Sequence, residues 1–418
     1  MEAEIIKKGS KSVTIQVTIP LSEEMLDTEE AIQRGVNHAG LLATQYALSQ
    51  FDTDGSPIKV EKKKYTSKGS LSKTYQCPFG EFELCRHVYQ SNEGGSTYCP
   101  LDHDARILVF STPKFAKTVS HKYSQTGSSQ VQRDLKENHG RHISRTCIQD
   151  ISRAVGNVAA TKSWKYTAGV SSGDVSSIGI SLDGTCMLLR EDGWRQAMVG
   201  SISLYDKDGE RIHTTYLAQA PEYGKETFYR DFTKGIETIK KAYQGKILVG
   251  VADGATDNWK YLGSLVDVEV LDFFHATEYL AKVSNAAFKR KFDGREWLER
   301  SCHTLKHETG GAKTLLEEMK KLINKKMSQE KKEEIKKSIT YFTNHLAQMN
   351  YSSYLSKNIP IGSGVIEAAC KVIIKQRMCN SGMRWTDEGA KNILVLRCFN
   401  ETDGKWAQFW DKITKMGY

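Results

Sequence analysis

Three carboxylates in this chain have the types and settings to share one piece of chemistry: Asp183, Asp253 and Glu367. Asp183 breaks an alternating run in which Ile178, Ile180 and Leu182 share a face, as in a β-strand. Asp253 directly follows Lys246-Ile-Leu-Val-Gly-Val-Ala252, a run that is apolar throughout and is expected as a buried, parallel-type strand. A carboxylate at the C-terminal end of such a strand, with Gly254 after it, sits where α/β sheets place ligands. Glu367 falls in the first turn of an expected helix whose apolar stripe is Val365, Ile366, Ala369, Val372 and Ile373, with Ser363 as its cap between two turn-forming glycines. Taken alone, Glu367 reads as a solvated carboxylate favoured by the helix dipole. Together, the three acids are what metal-dependent phosphoryl transfer needs. Two Mg²⁺ ions about 3.5–4 Å apart activate an attacking oxygen and stabilise the leaving one. Asp183 is expected to bridge the ions, with Asp253 and Glu367 holding one each. Without cations the three charges would repel and raise one another's pKa.

Other residues group around these acids. His275, in Asp272-Phe-Phe-His275, reads either as a structural histidine or as a donor near the site, oriented by Asp272. Lys371, Lys375, Arg377 and Arg384 are read toward one side of the Glu367 helix with Trp385 interleaved, where cations would steady neighbouring phosphates. An ordinary basic helix face is the competing reading.

The elements that must position these groups can be read along the chain. Its 418 residues suit two or three domains, and the formal charge of +9 suits a polyanionic partner without demanding one. Nine cysteines without a Cys-x-x-Cys pair argue against a disulfide framework and for a reducing cytoplasm. No apolar run approaches the roughly 20 residues of a membrane span, and the first residues lack secretory-signal character. Residues 1–110 read as an α+β region: a strand over 12–19, a helix over 22–50, a basic loop from Lys62 to Thr74 and a small β unit after it. There Cys77, Cys85, Cys99 and His103 invite a zinc reading, but their spacing does not form the knuckle that structural zinc sites use. Residues 111–168 read as three helices joined by short turns, resembling a helix-turn-helix. The outward face of the third is expected to carry Arg145, Gln149, Ser152 and Arg153, types that read base edges and phosphates. A plain three-helix interaction module is the alternative.

Residues 169–300 and 357–400 read as the α/β catalytic core. Three antiparallel strands, a helix, a parallel strand, a helix and another strand are the succession of a ribonuclease-H-like fold, with the first acid on the first strand and the second at the end of the fourth. Charged helices over 301–356 read as an insertion, and 401–418 as a C-terminal tail.

At these residues the sequence resembles a DDE-type transposase of a bacterial insertion sequence, most like the ISKra family. The resemblance covers nearly the whole chain. Its specific blocks are Asp272-Phe-Phe-His-Ala-Thr-Glu278 and Ile361-Gly-Ser-Gly-Val-Ile-Glu-Ala-Ala-Cys-Lys371 with Ser381-Gly-Met-Arg-Trp385; Leu182-Asp-Gly184 and Val251-Ala-Asp-Gly254 are weaker. It implies that Asp183, Asp253 and Glu367 are the catalytic triad, binding Mg²⁺ or Mn²⁺. It also matches Asp272 and His275 to an Asp/Cys-x-x-His element of related transposases. Double-stranded DNA would be the partner: terminal inverted repeats bound by the amino-terminal helices, and target DNA. A homodimer or larger synaptic complex would work on the nucleoid in the cytoplasm. The expected reaction is cleavage at the element's ends, then transfer of the freed 3′-hydroxyl to target DNA. The residues leave open a structure-selective nuclease that only hydrolyses and a retired copy that binds DNA without cutting.

Overall fold

The computed structural model describes residues 2–162, 166–323 and 327–417. Residues 163–165 of the expected three-helix segment and 324–326 of the expected insertion lie outside them. The chain is a mixed α/β protein that divides into two compact units. One comprises Met1–Ser163, Lys391–Asn400 and Trp406–Tyr418; the other comprises Trp164–Ala390 and Glu401–Lys405.

In the first unit, β1 (Glu2–Lys8) and β2 (Val13–Thr18) pair antiparallel under helix α1 (Met25–Ser49). A four-stranded antiparallel sheet follows, in the order β3 (Ile58–Val60), β4 (Lys63–Cys77), β5 (Gly80–Ser91), β6 (Thr97–Tyr98). The β4 span overturns the expected basic loop. Its lysines, serines and threonines leave most of the strand exposed on both faces, so no apolar alternation marks it, yet its backbone pairs with β5 from Tyr65 to Cys77. Helix α1 approaches the β4–β5 turn so closely that a Cβ on Gly40 would lie 2.5 Å from the Phe79 ring. Leu48, Tyr75, Phe82, Leu101 and Ile107 close a core there, with α2 (Pro100–Asp104) contributing Leu101 and Asp102. Asp102 gathers Lys73 at 2.9 Å and the Tyr75 hydroxyl at 2.6 Å.

Helices α3 (Pro113–Gln125), α4 (Ser128–His139) and α5 (Arg145–Lys162) then pack through Phe115, Val119, Val131, Leu135, Ile148, Ile151 and Val155. Gly140 takes the left-handed conformation (φ 60°) that ends α4, a position that favours glycine.

In the second unit, three long strands, β7 (Ser177–Leu189), β8 (Gly193–Tyr205) and β9 (Arg211–Gln219), form an antiparallel meander. Helix α6 (Glu226–Ala242) leads to β10 (Ile247–Ala252), and α7 (Thr256–Leu262) to β11 (Val268–Leu271). The sheet order is β11-β10-β7-β8-β9, with β10 parallel to both neighbours. Both faces of β10 are covered. Leu248 and Ala252 pack with Ile178, Ile180, Leu182 and the α6 residues Phe228, Phe232 and Ile236, while Val249 and Val251 pack on the opposite side. That double burial is why the strand is apolar throughout.

The second face is built by α8 (Phe273–Ala287), α9 (Lys291–His307), α10 (Gly311–Leu322), α11 (Gln329–Asn344) and α12 (Tyr351–Ser356), through Leu280, Val283, Trp297, Leu305, Leu315, Met319, Ile335 and Phe342. The helices begin before residue 301, where the insertion was expected to start. Helix α13 (Gly364–Ala369) runs through a π-helical turn, Cys370–Lys375, into α14 (Gln376–Met378), and α15 (Asp387–Glu401) follows. Residues 401–418 are not a tail: α16 (Lys405–Met416), which belongs to the first unit from Trp406 on, buries Phe409, Trp410 and Ile413 at helical spacing. Among the described residues no helix is long and apolar enough to cross a membrane.

Candidate acidic site

Parallel pairing of β7 with β10 matches Ile180 to Gly250. Three residues further along stand Asp183, within β7, and Asp253, just past the end of β10, on neighbouring strands of a kind that run about 4.8 Å apart. Both line one cleft of about 230 Å³, together with Gly184, Gln196, Lys225, Thr256 and Asn258. Asp253 stands just past the last residue of β10, where its Oδ1 accepts from the Ala255 amide at 3.1 Å and from Asn258 Nδ2 at 3.0 Å. Both bonds fall on the same oxygen of Asp253. Asp183 Oδ1 accepts from the Gly184 amide at 2.6 Å, and Oδ2 is met by the Cys370 thiol at 3.7 Å.

Burial pushes the Asp183 carboxyl above its usual 3.8; the Gly184 amide pulls it back, and the Asp253 charge adds to the rise. The consequence for stability has a definite sign. A carboxyl whose folded-state pKa is raised favours the fold fully below its ordinary value, and that contribution is lost as pH rises through the folded pKa. Asp183→Asn, which cannot ionise, should therefore melt higher than the wild type at pH 7 and match it near pH 3. Thermal unfolding followed by circular dichroism across that range checks this, and equal melting curves at pH 7 would contradict it.

The third acid reaches the same neighbourhood by a different route. Helix α13 packs against β7 and β8, and Cys370, one turn past Glu367, is the residue that touches Asp183. Glu367 itself is 56% exposed, and its Oε1 lies 3.9 Å from His275 Nε2. The other nitrogen of His275 faces Glu278 at 3.7 Å. His275 is set by α8, whose cap is Asp272: Oδ1 accepts from the His275 amide at 2.8 Å, while Oδ2 accepts from the Ser363 amide. A further bond, from the Phe273 amide to the Ile361 carbonyl at 2.9 Å, ties the same two segments. Ser363 is thus not the side-chain cap the sequence suggested. It is buried, its side chain makes no cap hydrogen bond, and its backbone amide is anchored on Asp272.

Among the described residues no three His, Cys, Asp or Glu side chains stand close enough to hold one cation as they lie. The donor chemistry is nevertheless that of a hard divalent ion. Mg²⁺ is commonly held by one or two carboxylates, with waters and substrate phosphates completing its shell, and Asp183 and Asp253 offer that pair beside an exposed glutamate.

The basic residues divide. Lys371, Lys375 and Arg384 are exposed. Arg377 is only 1% exposed, with its guanidinium 5.0 Å from the centre of the Trp385 ring. It follows Lys375 by two positions, about 200° around a helix, and so joins the inward stripe of Ile373 and Ile374. Trp385, half-buried, has structural partners of its own. Its indole donates to the Met378 carbonyl at 2.9 Å, and its backbone bridges Leu188 and Arg190 beside β7. On α5, Arg145 and Arg153 are exposed and Gln149 is half-buried, but Ser152 is buried, because it stands four residues after Ile148 and three before Val155 on the packed stripe. The residues weighed for zinc are dispersed. Cys77 is buried at the β4–β5 turn, Cys85 is exposed on β5 opposite Ser72, Cys99 is half-buried, and His103 pairs with Asp104 at 2.7 Å.

Two groups at the site were not anticipated. Cys370 lies inside a quoted motif, but nothing in the sequence says its thiol meets Asp183. Tyr341 stands on a charged helix read as insertion and carries no motif at all. No protein-family model matches the chain, and no curated protein matches it as a relative.

Proposed function

We propose that this protein is a DDE-type DNA transposase. The observation that supports it most is that Asp183 on β7 and Asp253 just past the neighbouring parallel strand β10 line one cleft, with the helix of Glu367 packed on β7. The sheet order, a three-stranded meander whose first strand is extended by two parallel strands, accords with a ribonuclease-H-like core. In this reading Asp183, Asp253 and Glu367 would hold two Mg²⁺ or Mn²⁺ ions, which when bound polarise the attacking and leaving oxygens at phosphorus. The chain's own residues do the rest. Asn258 and the Ala255 amide fix the direction of Asp253, and His275 steadies Glu367. Lys371, Lys375 and Arg384 neutralise phosphates near the cleft, and exposed Arg145 and Arg153 with Gln149 serve a helix-turn-helix-like contact to DNA. The partners are the element's terminal repeats and target DNA, worked on by a homodimer or larger assembly on the bacterial nucleoid.

The test uses double-stranded oligonucleotides carrying the inverted repeats that border the gene, with Mg²⁺ and a target plasmid. Cutting at the repeat ends, followed by joining of a pre-cut 3′-hydroxyl end to the plasmid, is the expected result. Cleavage without joining would assign a structure-selective nuclease, and binding with neither would assign a DNA-binding derivative.

A further inference from the structure

Tyr341, on α11, reaches the chain just past Asp253. A Cβ built on Gly254 would lie 2.4 Å from its Cε2 and 2.9 Å from its hydroxyl oxygen, so only glycine leaves room for the phenol there. The ring is held in place. It stacks on Tyr279 with centroids 3.7 Å apart and planes 11° from parallel, and the His345 ring lies 4.9 Å away. Tyr279 is in turn met by the Lys282 ammonium at 4.1 Å from its centre. Burial first, and then Tyr279 and the charges of Asp253, Asp272 and Glu278, push the Tyr341 hydroxyl well above its ordinary value, so it stays a proton donor at any working pH.

That donor meets no protein acceptor among the described residues. Among the described residues the Tyr341 hydroxyl makes no hydrogen bond, while Asp253 already takes its donors from Ala255 and Asn258. A half-buried phenol held against Gly254, next to Asp253, without a protein acceptor among the described residues is suited to an acceptor that arrives with the substrate.

We infer that Tyr341 is a substrate-contacting residue, whose hydroxyl donates a hydrogen bond to a non-bridging oxygen of a DNA phosphate brought to the Asp183–Asp253 cleft. The inference rests on the phosphoryl-transfer reading above and adds a neutral donor, carried by a helix outside the sheet, to its acids. A phenol suits this place better than a cation would. It can share a phosphate oxygen without forming an ion pair with Asp253 that would compete with metal.

The experiment compares Tyr341→Phe with the wild type, both full length, on repeat-end DNA across a Mg²⁺ titration. Phenylalanine keeps the stack on Tyr279 and removes only the oxygen, so thermal unfolding should be unchanged. At saturating Mg²⁺ the cleavage rate should fall roughly tenfold to a hundredfold, as for loss of one hydrogen bond to a charged group, with the half-activating Mg²⁺ concentration unmoved. An unchanged rate overturns the inference. So does a loss that disappears at high Mg²⁺, because the hydroxyl would then be acting through Asp253 and not on the substrate. Wild-type protein that cuts no DNA removes the parent reading and this one together, whereas an active wild type with an equally active Tyr341→Phe removes this one alone.

Discussion

Asp253→Asn is expected to lower metal-dependent DNA cleavage by at least roughly a thousandfold, several kcal/mol of lost transition-state stabilisation, while DNA affinity stays within about twofold. The substitution is nearly isosteric. The side-chain oxygen of asparagine can still accept from the Ala255 amide and from Asn258, so the turn after β10 should keep its shape. What is lost is the negative charge facing Asp183 across the cleft. DNA affinity rests on phosphate contacts from exposed arginines and lysines elsewhere and should not change. Cleavage of labelled repeat-end DNA alongside a gel-shift titration reads both effects. Cleavage at wild-type rate would take Asp253 out of the mechanism, and loss of DNA binding would mean that the substitution had damaged the fold.

The second large effect is expected at Asp272, which touches no substrate in the proposed mechanism. It is fully buried, and its two oxygens take the amides of His275 and Ser363. Asp272→Ala leaves two N–H groups, one buried and one partly buried, without an acceptor, at about 1–3 kcal/mol each, or roughly 2–6 kcal/mol in all. For a unit of this size that corresponds to a fall in Tm of about 10 °C. The same change frees the start of α8, which sets His275, from the segment that begins the Glu367 helix. Activity should therefore drop even at temperatures where the variant remains folded. Calorimetry combined with cleavage assays well below the melting transition separates the two losses. A variant that melts like the wild type would show that these amides find other partners.

Much of the second unit was legible because its strands follow simple rules. Ser177–Leu189 alternates until Asp183 and is a strand over that span, and the unbroken apolar run before Asp253 is a strand covered on both faces. Asp183 and Asp253 could be paired because both end or interrupt such runs. Where the sequence misled, the pattern was either absent or local. Strand β4 is polar along most of its length and is held there by its backbone ladders with β3 and β5. The spacing of Trp406, Phe409, Trp410 and Ile413 was a readable helical stripe, and treating 401–418 as a tail passed over it. Ser363 was assigned the nearest role its type allows, but its hydroxyl caps nothing, and the bond of its amide to Asp272, 91 residues away, is a long-range contact no local pattern shows. Arg377 and Ser152 were judged by residue type, whereas their positions on packed stripes decide their burial. The contacts of Cys370 and Tyr341 depend on how separate elements meet, which no local pattern encodes.

The first compact unit draws on residues from both ends of the chain, needing 391–400 and 406–418 to complete what 1–163 begins. A ribosome adding about 5–20 residues per second takes some 10–50 s to travel from residue 163 to 391. Throughout that interval the amino-terminal helices have been synthesised while their last packing partners have not. The intervening second unit has all but five of its residues by position 390, so the middle of the protein can mature before its beginning does. A stop codon or fused partner placed near residue 404 would consequently injure the amino-terminal half, far away in sequence, more than the stretch it follows.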